Sequence, residues 1–229
     1  MKSALLIFIT SCAWSQSGIE VPSAGIIVDS LGSLRFVQGV AGNFLLGPPM
    51  ASGVLSAACS EQLCLAKTDS KILSATGQVD APPGPAVFGL DRDTAVIFFP
   101  QSQTFARWRE NTLEPLDWTV DIHVDINVDD DVLSIRVGDQ GIEIALRRNW
   151  AGVTNGPVLL LREGALFATA DELVFRHGDG SETRFDLAGA EVITSIGSHY
   201  AAIRSGSLTY LLRLEPGHEQ LFLLPGNVP

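Results

Sequence analysis

The feature that most constrains this chain is its punctuation. From residue 25 onward, short runs rich in β-branched and aromatic residues alternate with polar, Gly or Pro turns, and no long i, i+3, i+4, i+7 apolar stripe interrupts them. Read this way, the chain divides into repeating units. Val54 to Gly84 holds VLSAACS, LCLAKTD and ILSATG, then the breaker APPG. Pro85 to Asp117 holds AVFGLD, TAVIFF and TFARWR, then a turn around Pro115. Ile122 to Gly156 holds IHVDINV, VLSIRV and IEIALRR, then NWAGVTNG. Pro157 to Gly189 holds VLLLRE, ALFATA, ELVFRH and ETRFDLAG. Ala190 to Gly226 holds EVITSIG, YAAIRS, LTYLLRL and QLFLLPG. The unit starts at 54, 85, 122, 157 and 190 are spaced by 31, 37, 35 and 33 residues. A shorter unit, Gly25 to Gly47, precedes them with GIIVDS, SLRFVQG and NFLLG.

A sheet of three or four short strands cannot bury both of its faces alone. Stacking such sheets radially buries each against its neighbours. A period in the thirties therefore predicts an all-β fold, a small β-propeller of five or six three- to four-stranded blades. A β-sandwich or an irregular β-barrel is the alternative architecture. The strand Gln220 to Leu224 is expected to complete the N-terminal sheet and so close the ring, which protects edge strands. In this layout, over most of residues 25–226, the chain resembles secreted bacterial β-propeller repeat proteins. The resemblance is one of period: the WD40, kelch and YWTD motifs and the sialidase Asp-box are absent.

Composition removes several function classes. The chain has 229 residues, 46% of them hydrophobic and only 18% charged, which excludes a disordered protein. A net charge of −11 argues against a nucleic-acid partner, because phosphates must be met by clustered Lys and Arg. Residues 1–15 read as a signal peptide: Lys2 supplies the positive start, Ala4 to Ile9 a short apolar run, and Ala13-Trp14-Ser15 a cleavage site before Gln16. Residues 16–229 then form a single domain. Ile9-Thr10-Ser11-Cys12 also resembles a bacterial lipobox, so a lipid anchor through Cys12 is a competing reading. The apolar run is far shorter than the ~18–20 residues that span a bilayer, and no other stretch reaches that length. The address is extracytoplasmic, periplasmic or secreted.

Cleavage before Gln16 leaves two cysteines, Cys59 and Cys64, flanked by strand-like runs and separated by a short loop. An even count in an oxidising compartment predicts a disulfide across a hairpin. Two buried free thiols are the alternative.

The sharpest local pattern is the alternation from Asp121 to Asp129, which places Asp121, His123, Asp125, Asn127 and Asp129 on one strand face. This reads first as a solvated acidic face, relieved by pairs such as Asp125 with Arg136. The corner Asp129, Asp130 and Asp131, where carboxylates can converge, is the candidate Ca²⁺ site; no other cofactor is implied. A hydrolase needs two carboxyl groups ~5–9.5 Å apart over a pocket. Asp29, Asp80, Asp91, Asp117, Asp125 and Glu163 are the candidates, and two or more around one deep pocket would favour an enzyme. There is no serine-hydrolase elbow, nucleotide motif or zinc-ligand spacing. In Arg107-Trp108-Arg109 the indole is expected between sheets and both cations outside. Trp118 and Trp150 follow turns and are expected to fill gaps between units. The prolines at 48–49 and 82–85 are expected in loops that bound strands.

These features point to an exported, acidic, non-enzymatic binding or interaction module, monomeric, with an unidentified protein or carbohydrate ligand and recognition carried by loops at one end of the ring. An exported carbohydrate-active hydrolase with acids on the axis and a membrane-tethered lipoprotein subunit are the alternatives.

Overall fold

A computed structural model describes residues 23–117, 130–138 and 141–225. The signal peptide over 1–15, Cys12, and the acidic face from Asp121 to Asp129 lie outside these residues. The described chain is almost entirely strand. The N-terminal sheet is β1 (Ser23–Val28), β2 (Leu34–Val40) and β3 (Asn43–Ala51). The next is β4 (Ser56–Cys59), β5 (Cys64–Lys67), β6 (Lys71–Ser74) and β7 (Gly77–Asp80), followed by β8 (Val87–Asp91), β9 (Thr94–Phe99), β10 (Thr104–Arg109) and β11 (Thr112–Leu116). Then come β12 (Val132–Gly138) with β13 (Gly141–Leu146), and β14 (Val158–Leu161), β15 (Gly164–Ala168), β16 (Glu172–His177) and β17 (Glu182–Asp186). The last sheet is β18 (Ala190–Ser195), β19 (Tyr200–Ser205), β20 (Leu208–Arg213) and β21 (Gln220–Leu223). Within each sheet every strand pairs antiparallel with the next in sequence.

Five sheets stand around one axis as a small β-propeller, with β4, β8, β12, β14 and β18 as the axial strands. Each inter-sheet seam is a separate apolar cluster. Leu65, Ile97 and Trp108 fill the seam between the sheets of β4 and β8. Phe98, Ile135 and Leu146 fill the next, Val158, Phe167 and Ala145 the one after, and Phe175, Ile193 and Leu212 the last. This explains the sequence pattern. A second strand is covered on both faces, so TAVIFF of β9 is apolar almost throughout. A fourth strand at the rim has a solvated face, so ETRFD of β17 alternates.

The N-terminal sheet is inserted between the first and last of these blades. Gly25 in β1 lies against Ile196 just past the end of β18, where an added Cβ would stand 3.3 Å from that of Ile196. The β1–β2 turn lies at the opposite end, where Val54, ahead of β4, donates its N–H to the Gly32 carbonyl at 2.9 Å. β1 therefore lies alongside β4 and the end of β18, as the end strand of its own sheet. On the axis, β4 and β18 meet directly through a parallel bridge between Cys59 and Ile196.

The expected exchange of the C-terminal strand does not occur. β21 pairs with β20 in its own sheet. A hairpin partner closes a shorter loop than a distant sheet does, which favours local pairing. The ring is closed instead by the Cys59–Ile196 bridge and by side chains: Ile27, Val37 and Phe44 of the N-terminal sheet pack with Ile196, Ala202, Leu211 and Leu224. Phe44 meets Tyr200 and Phe222 edge to face.

Other expectations are refined. Pro48 and Pro49 lie within β3 and Pro115 within β11 rather than in loops. Both are end strands of their sheets, where a missing N–H breaks no ladder. The run IEIALRR ends as a strand at Leu146, and Arg147–Trp150 forms one helical turn. Trp150 packs on Phe167 with ring centroids 5.3 Å apart, as a gap filler between units, while Trp118 lies outside the described residues. Trp108 is buried, with Arg107 and Arg109 exposed on either side. Among the described residues no helix is long and apolar enough to cross a membrane.

Candidate functional site

The axial strands enclose a cavity of about 1580 Å³. Its walls are mostly small or apolar side chains, including Ala57, Ala58, Val87, Leu133, Ile135 and Val192. Serine hydroxyls join the axial strands across the seams. Ser56 Oγ accepts the Ala86 N–H at 3.0 Å and Ser134 Oγ accepts the Leu160 N–H at 2.9 Å. Ser195 Oγ donates to the Cys59 carbonyl at 3.3 Å.

The cavity opens where the axial strands turn outward, because the turn residues Glu61, Gln62, Asp91, Arg92, Arg162, Glu163, Ser198 and His199 all line it and are all exposed. Four blades each bring one arginine and one carboxylate to this lining: Asp91 with Arg92, Arg136 with Glu143, Arg162 with Glu163, and Arg213 with Glu215. The remaining blade brings Glu61. Arg136 and Glu143 are register partners on β12 and β13 and form an ion pair. The same guanidinium donates to the Leu161 carbonyl of the next blade at 2.6 Å. Arg213 pairs with Glu215. Among the described residues, Asp91, Arg92, Arg162 and Glu163 enter no ion pair with their side chains.

One side of the mouth is stapled. The Cys59–Cys64 disulfide forms between register partners of β4 and β5. Its turn reaches both neighbours around the axis. Ser60 Oγ donates to the Arg92 carbonyl at 2.5 Å, and Glu61 Oε1 accepts the Ser198 hydroxyl at 2.8 Å.

The sequence candidates separate on this map. Asp91 and Glu163 line the same cavity. Asp80 ends the outer strand β7, and Asp117 follows the outer strand β11. Asp125 lies outside the described residues. Asp29 is buried in the β1–β2 turn: its Oδ1 accepts the N–H groups of Leu31 and Ser33, and its Oδ2 holds Arg35 Nε at 2.6 Å. Of the candidate calcium ligands, Asp130 holds Arg148 Nη1 at 2.6 Å, the Asp131 carbonyl caps Arg147 N–H, and Asp129 lies outside the described residues. Arg136 takes Glu143 as its partner. His177 hydrogen-bonds Thr183 Oγ1 at 3.0 Å, away from the cavity. Among the described residues no group of three His, Cys, Asp or Glu side chains is placed to hold a metal ion.

Sequence reasoning missed Glu61, Arg92, Arg162 and the Arg213–Glu215 pair as site residues. Their signal is positional: Asp91-Arg92 and Arg162-Glu163 each follow the first strand of their unit.

No protein-family model and no curated protein matches the sequence. Solved structures share its outline at low identity. PorZ, an essential bacterial surface component of the type-IX secretion system of Porphyromonas gingivalis, matches at 12% identity with a TM-score of 0.47, over 88% of this chain and 31% of its own. The extracellular domain of a one-component system from B. thetaiotaomicron matches at 10% identity and a TM-score of 0.42, over 89% of this chain and 33% of its own. AztD from Citrobacter koseri, in its apo form, matches at 11% identity and a TM-score of 0.29, over 88% of this chain and 62% of its own. The chain thus spans about a third of the length of the first two.

Proposed function

We propose that this chain is an exported, non-enzymatic binding module that receives a protein or carbohydrate ligand in the mouth of its axial cavity. The carrying observation is the cavity itself, with charged side chains from every axial blade in its lining. Scaffold-held turns of this kind carry recognition without disturbing the core. The disulfide and the leader-like residues 1–15 support an extracytoplasmic site of action. The proposed domain runs from Gln16. Mass spectrometry of the exported protein tests this: a free Gln16 N-terminus is expected, and a lipid-modified Cys12 makes it a tethered lipoprotein instead.

The second reading is a carbohydrate-active hydrolase, because two of the candidate acids, Asp91 and Glu163, line the same cavity. One experiment decides between them. The purified protein is incubated with neutral oligosaccharides and with peptides, and the bound fraction is analysed by mass spectrometry. A retained, chemically intact probe supports the binding module. Cleavage lost in Asp91→Asn and Glu163→Gln overturns it in favour of the hydrolase.

A further inference from the structure

The lining of the cavity is selective about what it can satisfy. β4, β8, β12, β14 and β18 are each the end strand of their sheet, so apart from the Cys59–Ile196 bridge that joins β4 to the end of β18 their inner backbone edges face the axis. Serine hydroxyls and Arg136 occupy part of these edges, on β14 above all. An edge strand is a template for an extended chain, which it binds through main-chain hydrogen bonds while side pockets choose the side chains.

The rim adds a second restriction. Among the described residues each arginine there has a carboxylate in its own blade, and Glu61 leaves one acid in excess. A balanced rim selects neither a polyanion nor a polycation; it suits a neutral, dipolar group that both donates and accepts hydrogen bonds. A peptide backbone and a sugar both meet that description, and the aromatic residues separate them. The aromatic side chains lining the cavity are Phe88, Phe175 and Tyr200. Phe175 is buried, Phe88 packs against the Trp108 cluster, and Tyr200 stands edge to face with Phe44 at 5.7 Å. Among the described residues each of these rings is thus engaged in packing between sheets rather than standing as a platform for a pyranose. The walls are aliphatic, with Ala58, Leu90 and Val137 near the mouth.

We infer that the ligand is an uncharged, extended peptide segment of a partner protein, bound along the open edges of the axial strands with an aliphatic side chain inserted between them. This rests on the axial cavity being the binding site, as proposed above. The test pans the full exported chain against phage-displayed random heptapeptides and, in parallel, against an array of neutral oligosaccharides. Two variants accompany the wild type. Ala58→Trp fills the cavity from a wall position, and Gln62→Trp overhangs the mouth from an exposed position in the β4–β5 turn. The expected result is enrichment of peptides with a central Leu, Ile or Val. Binding should weaken by about tenfold or more in whichever variant folds, and again when backbone amides of the selected peptide are N-methylated. Oligosaccharide binding sensitive to the two variants overturns the peptide inference and leaves the binding module standing. Binding of neither class overturns both, and peptide binding indifferent to the variants and to N-methylation overturns the inference.

Discussion

The carbonyl oxygen of Cys59 accepts the Gly197 N–H at 3.0 Å, so the disulfide-bonded hairpin of the first axial blade is hydrogen-bonded to the turn that ends the last axial strand. The ring has its sequence ends at this seam. Among the described residues no strand is exchanged across it, and the joint depends on the Cys59–Ile196 bridge, the Ser195 and Ser198 hydroxyls, and the inserted N-terminal sheet. The disulfide holds the hairpin in the shape that makes these contacts.

Replacing Cys59 and Cys64 together by Ser should lower stability by about 2 kcal/mol, the chain-entropy value for so short a loop. Urea unfolding measures it, and wild-type protein in reductant should fall to the same midpoint. A midpoint unmoved in both would mean that the seam holds without the bond.

Gly89 on β8 faces Ile135 on β12 with no room for a side chain: an added Cβ would lie 2.4 Å from Ile135 Cγ2 and 3.0 Å from its carbonyl oxygen. The missing side chain lets two axial strands approach. Gly89→Ala should destabilise by about 1–3 kcal/mol through overpacking of a β-branched neighbour. In the double variant with Ile135→Ala the loss should be smaller than the sum of the two single losses, because the closest contact is with a side-chain atom that alanine lacks. Additive losses in the double variant would show that the two residues do not share the space.

Much of this architecture is legible in the sequence, and the parts that are not have physical reasons. The axial and second strands stand out because burial on both faces makes them apolar runs. β7, with Gly-Gln-Val-Asp, and β11, with Pro115, are hidden because a rim strand needs neither an apolar run nor a full set of N–H donors. The turn before β11 hides as well: Glu110 and Asn111 take positive φ of 50° and 59° without a glycine to announce it. The Cys59–Cys64 pair is readable since its partners are neighbours in one hairpin. The rim is not, because Arg92 and Arg162 become one site only when separate blades are set around an axis.

Asp29 anchors the β1–β2 turn of the inserted sheet. Burial is the largest influence on its carboxyl and opposes ionisation, but the Ser33 N–H, the Arg35 guanidinium and the Leu31 N–H together outweigh it and hold the group below the usual carboxylate range. A depressed folded pKa contributes stability above the unfolded value of ~3.9, and that contribution is lost as pH falls through the folded value. Asp29→Asn should therefore cost about 1.5–3 kcal/mol at neutral pH. Denaturation at a series of pH values should show the deficit constant down to about pH 5 and closing at lower pH. A deficit that persists unchanged into acid would assign the loss to packing.

Lys67 at the end of β5 is fully buried and donates from Nζ to the carbonyl oxygens of Thr68 at 2.6 Å and Asp69 at 2.8 Å. Desolvation pushes its pKa down, and the Asp69 carboxylate offsets only part of this. Two effects compete in Lys67→Met: removal of a buried charge helps, and the Thr68 and Asp69 carbonyls losing a charged donor hurts. The carbonyls should decide the sign, at about 1–3 kcal/mol of net destabilisation, because two hydrogen bonds from a charged donor are lost together. The pH dependence separates the two. Between the depressed folded pKa and the ordinary lysine value of ~10.4 the unfolded chain holds the extra proton, so wild-type stability rises with pH in that window. Guanidinium unfolding at rising alkaline pH should therefore show the gap between wild type and Lys67→Met widening. A gap that narrows would mean that Lys67 stabilises the fold through its charge rather than in spite of it.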